Sequence, residues 1–383
     1  MLLWAAPALC QSPEVQVLGV RWTFSGELVV NANYNTSTMV VGSIPGFVQR
    51  YDPAVPQATT GQFNVSPGNT FLGVTATPPR TGEVQLQARL DMDFRSNAPY
   101  LNENAFLPLL RDLYLEATWS RLRLLAGQAS DIISPRASAT LNFYPLSFIP
   151  GDIGDYRPQV RVEWRQPFSE VVEVALQASV AQAVQTFQVS GSLQATQTGI
   201  PDFQGHLGLA FGPAREDGPR LFECGIAGHI GRRQVVLTDS PGDVRQYGTW
   251  SFVADGSLRL GETTLIEGEY FIGQLLGDYS GGIFQTIDPT KKVPIRARGG
   301  WAQITQRIGS RWTLHAGYGT DDPFNQDLAS GERQRNSEVF GNVLFRIAGG
   351  LRLGLELSWW STAWLDYPDA TAFRAETAVL LAF

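Results

Sequence analysis

The chain has 383 residues and a formal net charge of −7, and only Lys291 and Lys292 among its 29 basic residues are lysines. It contains no basic run of the kind that tracks phosphates, which argues against a general affinity for nucleic acid, and no apolar stretch long enough for a transmembrane helix. Hydrophobic residues at 43% and charged ones at 17% would suit a soluble protein, but 39 Gly and 10 Trp point to many strands and many turns.

MLLWAAPALC, residues 1–10, reads as the remnant of a secretory signal peptide, with Ala8-Leu9-Cys10 as the cleavage site before Gln11 and the basic leading region missing. The rival is a lipoprotein signal with Cys10 acylated, but Leu9 sits where such signals want a small residue. With Cys10 removed, Cys224 is alone, so no disulfide framework or cysteine metal site is expected. Residues 11–23 form a short periplasmic segment on this reading, and a barrel occupies 24–383.

From about residue 24 a run of alternating residues keeps returning, each time followed by a break. GEVQLQARLDMDF puts Val84, Leu86, Ala88, Leu90, Met92 and Phe94 on one face and Glu83, Gln85, Gln87, Arg89, Asp91 and Asp93 on the other. RLRLLAG, QVRVEWRQ and EVVEVALQASV repeat the pattern, and helical periodicity is nowhere sustained, so the chain is all-β. Tight breaks near Ser120, Gly261 and Gly349 alternate with long ones near 37–68, 95–108, 131–157, 183–200, 235–246, 277–291, 321–332 and 364–370. That asymmetry predicts a transmembrane antiparallel up-and-down β-barrel of about 16 strands, with long extracellular loops and short periplasmic turns. Closure removes the sheet edges and leaves one face of each strand for lipid, the other for water. The terminal AETAVLLAF fits as the last strand, with Phe383 at the periplasmic rim and Trp164, Trp250, Trp312, Trp359, Trp360 and Tyr318 as interface aromatics.

SGELVVNANYNTS, the SIPG that follows it, LRDLYLEATWSRLRLLAGQASDI and RPQVRVEW together resemble the DcaP-like outer-membrane porins. The resemblance implies a trimeric, sixteen-stranded porin in the outer membrane of a Gram-negative-type envelope, its third long loop, near 131–157, folded into the lumen. One departure is the helical coiled-coil arm those porins often carry, for which residues 11–23 are too short.

A porin does no covalent chemistry and needs no cofactor; its function lies in the charges at its narrowest point. Alternation places Arg89, Arg121, Arg123, Arg161, Arg165, Arg296, Arg298, Arg352 and Arg374 inward. Arg121, Arg123, Arg161 and Arg165 flank the third loop as a basic ladder, and the loop supplies Asp131, Arg136, Asp152, Asp155 and Arg157. Guanidinium groups hold carboxylates bidentately, which leans the expected solute towards small anions. Inward acids such as Glu116, Glu163 and Glu173 are as numerous, so ion pairs that only stiffen the wall are the other reading. The partners expected are outer-membrane lipid, small anionic solutes and further copies in a homotrimer.

Two other functions remain open in the sequence. A barrel hydrolase would draw on His206, His229 or His315, which lie on different strands with no serine or carboxylate beside them. An adhesin or scaffold would use the loop at 37–68. The histidines lack short metal-ligand spacing, and Asp321, Asp322 and Asp327 lack the spacing of a calcium loop.

Overall fold

The computed structural model describes residues 13–39, 45–52, 60–96, 107–142, 148–183, 193–196, 199–215, 218–237 and 244–383. The signal remnant expected at 1–10, and residues 40–44 and 53–59 of the loop expected at 37–68, lie outside them. The strands are β1 (Glu14–Val17), β2 (Val20–Asn35), β3 (Gln62–Ser66), β4 (Phe71–Thr77), β5 (Gln85–Ser96), β6 (Leu107–Trp119) and β7 (Leu122–Ser130). There follow β8 (Tyr156–Ser169), β9 (Val172–Ala181), β10 (Leu193–Thr196), β11 (Asp202–Phe211), β12 (Phe222–Leu237) and β13 (Val244–Leu260). The set ends with β14 (Thr264–Gln274), β15 (Arg296–Ile308), β16 (Trp312–Pro323), β17 (Arg333–Ala348), β18 (Leu351–Trp364) and β19 (Tyr367–Ala382).

Every neighbour in this sheet is antiparallel, and β19 closes it onto β2 with Val379 opposite Val30. β3 and β4 are two halves of one strand against β2, β10 continues β11 along β12, and β1 is a hairpin on the start of β2. The wall is therefore a closed barrel of 16 strands. The first barrel strand begins at Val20, slightly ahead of the expected residue 24, because Val15 and Val17 extend the pairing downwards.

Alternation sets the two faces. Leu115, Val160, Ile304, Val339, Leu355 and Val379 point out and are exposed, as a lipid-facing band must be, and their strand neighbours point in. At one end the connections are tight: Trp119 pairs with Leu122 across Ser120-Arg121, with Ser120 at φ +52°. At the other end they are long, with one exception. The break expected at 364–370 is the two-residue turn Leu365-Asp366, Asp366 at φ +65°, and strand pairing resumes at Trp364 and Tyr367. Trp360, expected among the interface aromatics, points inward instead and is fully buried beside Phe148.

Candidate pore wall and constriction

In the connection from β7 to β8, the described residues 131–142 and 148–155 fold into the barrel and lean on the inner wall from β11 round to β2. Its root is a buried charge cluster. Arg157, in β8, has no exposed surface; it ion-pairs with Asp131 at 2.7 Å and lies 3.5 Å from Asp202. Asp202 accepts a two-pronged bond from Arg233, at 2.8 Å on each oxygen, and Arg233 also reaches Asp278 at 2.7 Å. Tyr279 donates its hydroxyl to Asp202 at 2.7 Å, with the Arg157 guanidinium 3.8 Å above its ring. The network ties the loop that begins at Asp131 to the one at 275–295, which folds inward as well: Leu276 and Tyr279 are buried against Ile133 and Ile153.

Further along, Arg136 donates from Nε to Asp255 at 2.9 Å, stands 3.5 Å from Glu223, and gives its backbone N–H to Glu269 at 2.8 Å. Ser134 donates between Glu269 and Asp152, the latter at 3.1 Å. Burial pushes the Asp152 carboxyl up to about 8, with the Ser134 hydroxyl opposing. Asp155 accepts from the backbone N–H of Tyr156 at 2.7 Å, and burial raises its carboxyl too. Beyond this the loop backbone is held by wall side chains: Ala139 N–H donates to Gln303 and Leu141 N–H to Glu356, both at 2.7 Å. The Leu141 side chain is buried among Val29, Leu344, Ala378 and Leu380. These apolar residues break the polar rule of the inner face because the loop, and not water, covers them.

On the opposite wall, β5 to β9, Arg89, Arg123 and Arg165 face the water. Arg89 pairs with Asp91, Arg123 with Glu116 and Glu163, and Arg165 with Glu163 and Glu173. In each pair the arginine is the outer partner: side-chain exposure is 36% against 4% for Arg89 and Asp91. It is 32% against 12% and 3% for Arg123 and its two acids. Arg165 at 53% stands over Glu163 and Glu173 at 3% and 21%. Arg161 donates to Gln159 at 3.1 Å and to the Ser130 carbonyl, and no described carboxylate lies within ion-pair distance of it. The structure therefore brings Arg123 and Arg165 together on Glu163, holds Arg161 nearly buried against β7, and leaves Arg121 apart, in the tight turn beside Gln166. Arg352 faces inward on Glu27 near the turn end, and Arg374 is buried on Glu376.

Arg296 and Arg298 do not line the pore. They share the parity of exposed Ile304, whereas Trp301, Gln303 and Thr305 face in. Above the apolar band an outward position meets water and headgroups, so charge there is compatible with the alternation.

No family model and no curated protein matches this sequence. The structure of the outer-membrane channel DcaP of Acinetobacter baumannii superposes with a TM-score of 0.74 over 96% of this chain and 99% of that one, at 14% identity. The fold is that of an outer-membrane porin. An anion-selective porin from Comamonas acidovorans gives 0.61 at 10% identity, covering 95% and 100% of the two chains. Salmonella typhi OmpF, crystallised with daunomycin, gives 0.59 at 9%, covering 97% and 100%.

Within this porin fold the histidines form no hydrolytic constellation among the described residues. His229 is buried between Ser251 at 2.7 Å and Thr249 at 2.9 Å with no carboxylate in hydrogen-bond reach. His206 meets Asp255 at 3.2 Å without a hydroxyl, and His315 meets only the Thr305 hydroxyl, at 2.8 Å. Asp321, Asp322 and Asp327 diverge, one accepting from Ile283 N–H inside, one held by Arg298 and Arg335 outside, and one by Arg296. Asp202, Arg233, Asp278 and Tyr279 escaped the sequence reading because their meeting depends on two loops folding inward, which strand periodicity does not encode.

Proposed function

We propose that the chain is an outer-membrane porin for passive diffusion of small hydrophilic solutes, with a preference for anions such as carboxylates. The observation that carries the preference is the layering of charge on β5 to β9: acids lie against the wall and guanidinium groups stand in front of them. A solute passing between this wall and the loop at 131–155 meets arginine first. Formal charge there nearly balances, so the selectivity is modest and depends on which charge the solute approaches more closely.

The barrel sits in the outer membrane with its tight turns on the periplasmic side and lipid around its apolar band. A homotrimer is the assembly we assign to it, by analogy with the trimer form described for Vibrio cholerae OmpT, which has the same fold with a TM-score of 0.56. Liposome swelling with solutes of matched size and opposite charge tests the function. Faster entry of a small dicarboxylate than of a diamine of equal length supports it; entry of neither into liposomes bearing folded barrel sinks it.

A further inference from the structure

The outer face of β14 to β17 carries a concavity of about 500 Å³ near the loop end of the barrel. Gly300 forms its floor, flanked by exposed Tyr270 and Tyr318, each half-exposed on the lipid-facing side. Directly above stand Arg298 and Arg335, with side chains 55% and 58% exposed. Both use Nε on a single carboxylate, Asp322, at 3.1 and 3.2 Å. Two cations on one anion leave an excess positive charge on a surface that belongs to the membrane. Neighbouring Arg296 is matched by its own Asp327 and adds none.

We propose that this slot binds an anionic phosphate-bearing lipid headgroup of the leaflet at the loop end. The two arginines take the phosphate and the groove between the tyrosines takes the chain below it. Guanidinium groups bind phosphate through paired N–H donors, and tyrosines at this depth mark the boundary between headgroup and hydrocarbon. The slot opens downwards along Gly300 and Ala302 into the apolar band, a shape that suits an amphiphile and wastes half its depth on a free anion. The proposal rests on the outer face lying in lipid, and not on conduction.

Native mass spectrometry of the folded full chain in detergent tests it without any current measurement. Phosphatidic acid, phosphatidylcholine and inorganic phosphate are the probes, with folding checked by the heat-dependent shift on gels. The wild type is expected to retain phosphatidic acid roughly tenfold better than phosphatidylcholine, and R298Q/R335Q to lose that preference. Ala302→Phe keeps both charges but fills the slot, and is expected to lose retention as well. Equal retention by wild type and the double variant overturns the proposal. So does displacement of the lipid by equimolar inorganic phosphate, which marks an isolated anion site. Conversion of an oligomer to monomers by Ala302→Phe with retention unchanged also overturns it, because the face is then a contact between copies.

Discussion

A guanidinium group serves two opposed purposes in this barrel, and the difference is set by what surrounds it. Arg157 is fully buried, and removing it leaves Asp131 without its cation in a place water does not reach. Arg157→Ala is expected to cost about 3–5 kcal/mol, the usual consequence of breaking a buried pair from one side, read as a lowered urea midpoint of the folded barrel. Arg161 is nearly buried, and among the described residues it hydrogen-bonds an amide and a carbonyl and makes no direct ion pair. Arg161→Gln is expected to move the anion-to-cation permeability ratio towards one and to lower the urea midpoint by less than Arg157→Ala does, since no direct ion pair is broken. An unchanged ratio would show that Arg161 is only a brace. The inward parity of Arg161 was legible in QVRVEWRQ, where valines alternate with charges, whereas Arg157 was expected in the third loop and lies in β8. Their different fates were not legible, because Asp131 and Asp202 come from other parts of the chain.

The strands were readable and the loops were not, for a physical reason. A strand between lipid and water must alternate, so GEVQLQARLDMDF announces both its conformation and its two faces. At Arg296 and Arg298 the same rule misleads, since both residues lie above the apolar band, where the outward face also accepts charge. Parity there is fixed by Trp301, Gln303 and Ile304 further down the strand. The loop at 131–155 has no period to read; its place is set by Leu141 in an apolar pocket and by backbone N–H groups meeting Glu356, Glu269 and Gln303. Leu141→Ala is expected to weaken that docking by about 2–5 kcal/mol, seen as greater open-channel noise. A second test uses Asp152. Its carboxyl titrates near 3.8 when the loop is undocked and at about 8 when docked, so the docked state holds the extra proton between those values. Docking is therefore strongest at low pH, weakens as pH rises through this window and levels off above 8. Asp152→Asn should flatten the pH dependence of open-channel noise across that window, and a curve identical to wild type would remove Asp152 from the account.

For the whole molecule the claim is that a closed sixteen-stranded barrel holds a water path whose narrow part shows arginine to the solute. Both inward loops lean on the wall from β11 round to β2, which leaves β5 to β9, with Arg89, Arg123 and Arg165, to face the path. Closure and strand count were legible from the alternation of long and short breaks. The path's position was not, since it depends on which wall the loops choose. The measurement that reaches this claim most directly is single-channel recording of the refolded protein in a planar bilayer under a potassium chloride gradient. Steady ohmic conductance is expected, with a reversal potential displaced modestly towards that of chloride. Reversal towards potassium would contradict the arginine-fronted wall, and silence from a barrel shown to be folded would contradict the water path itself.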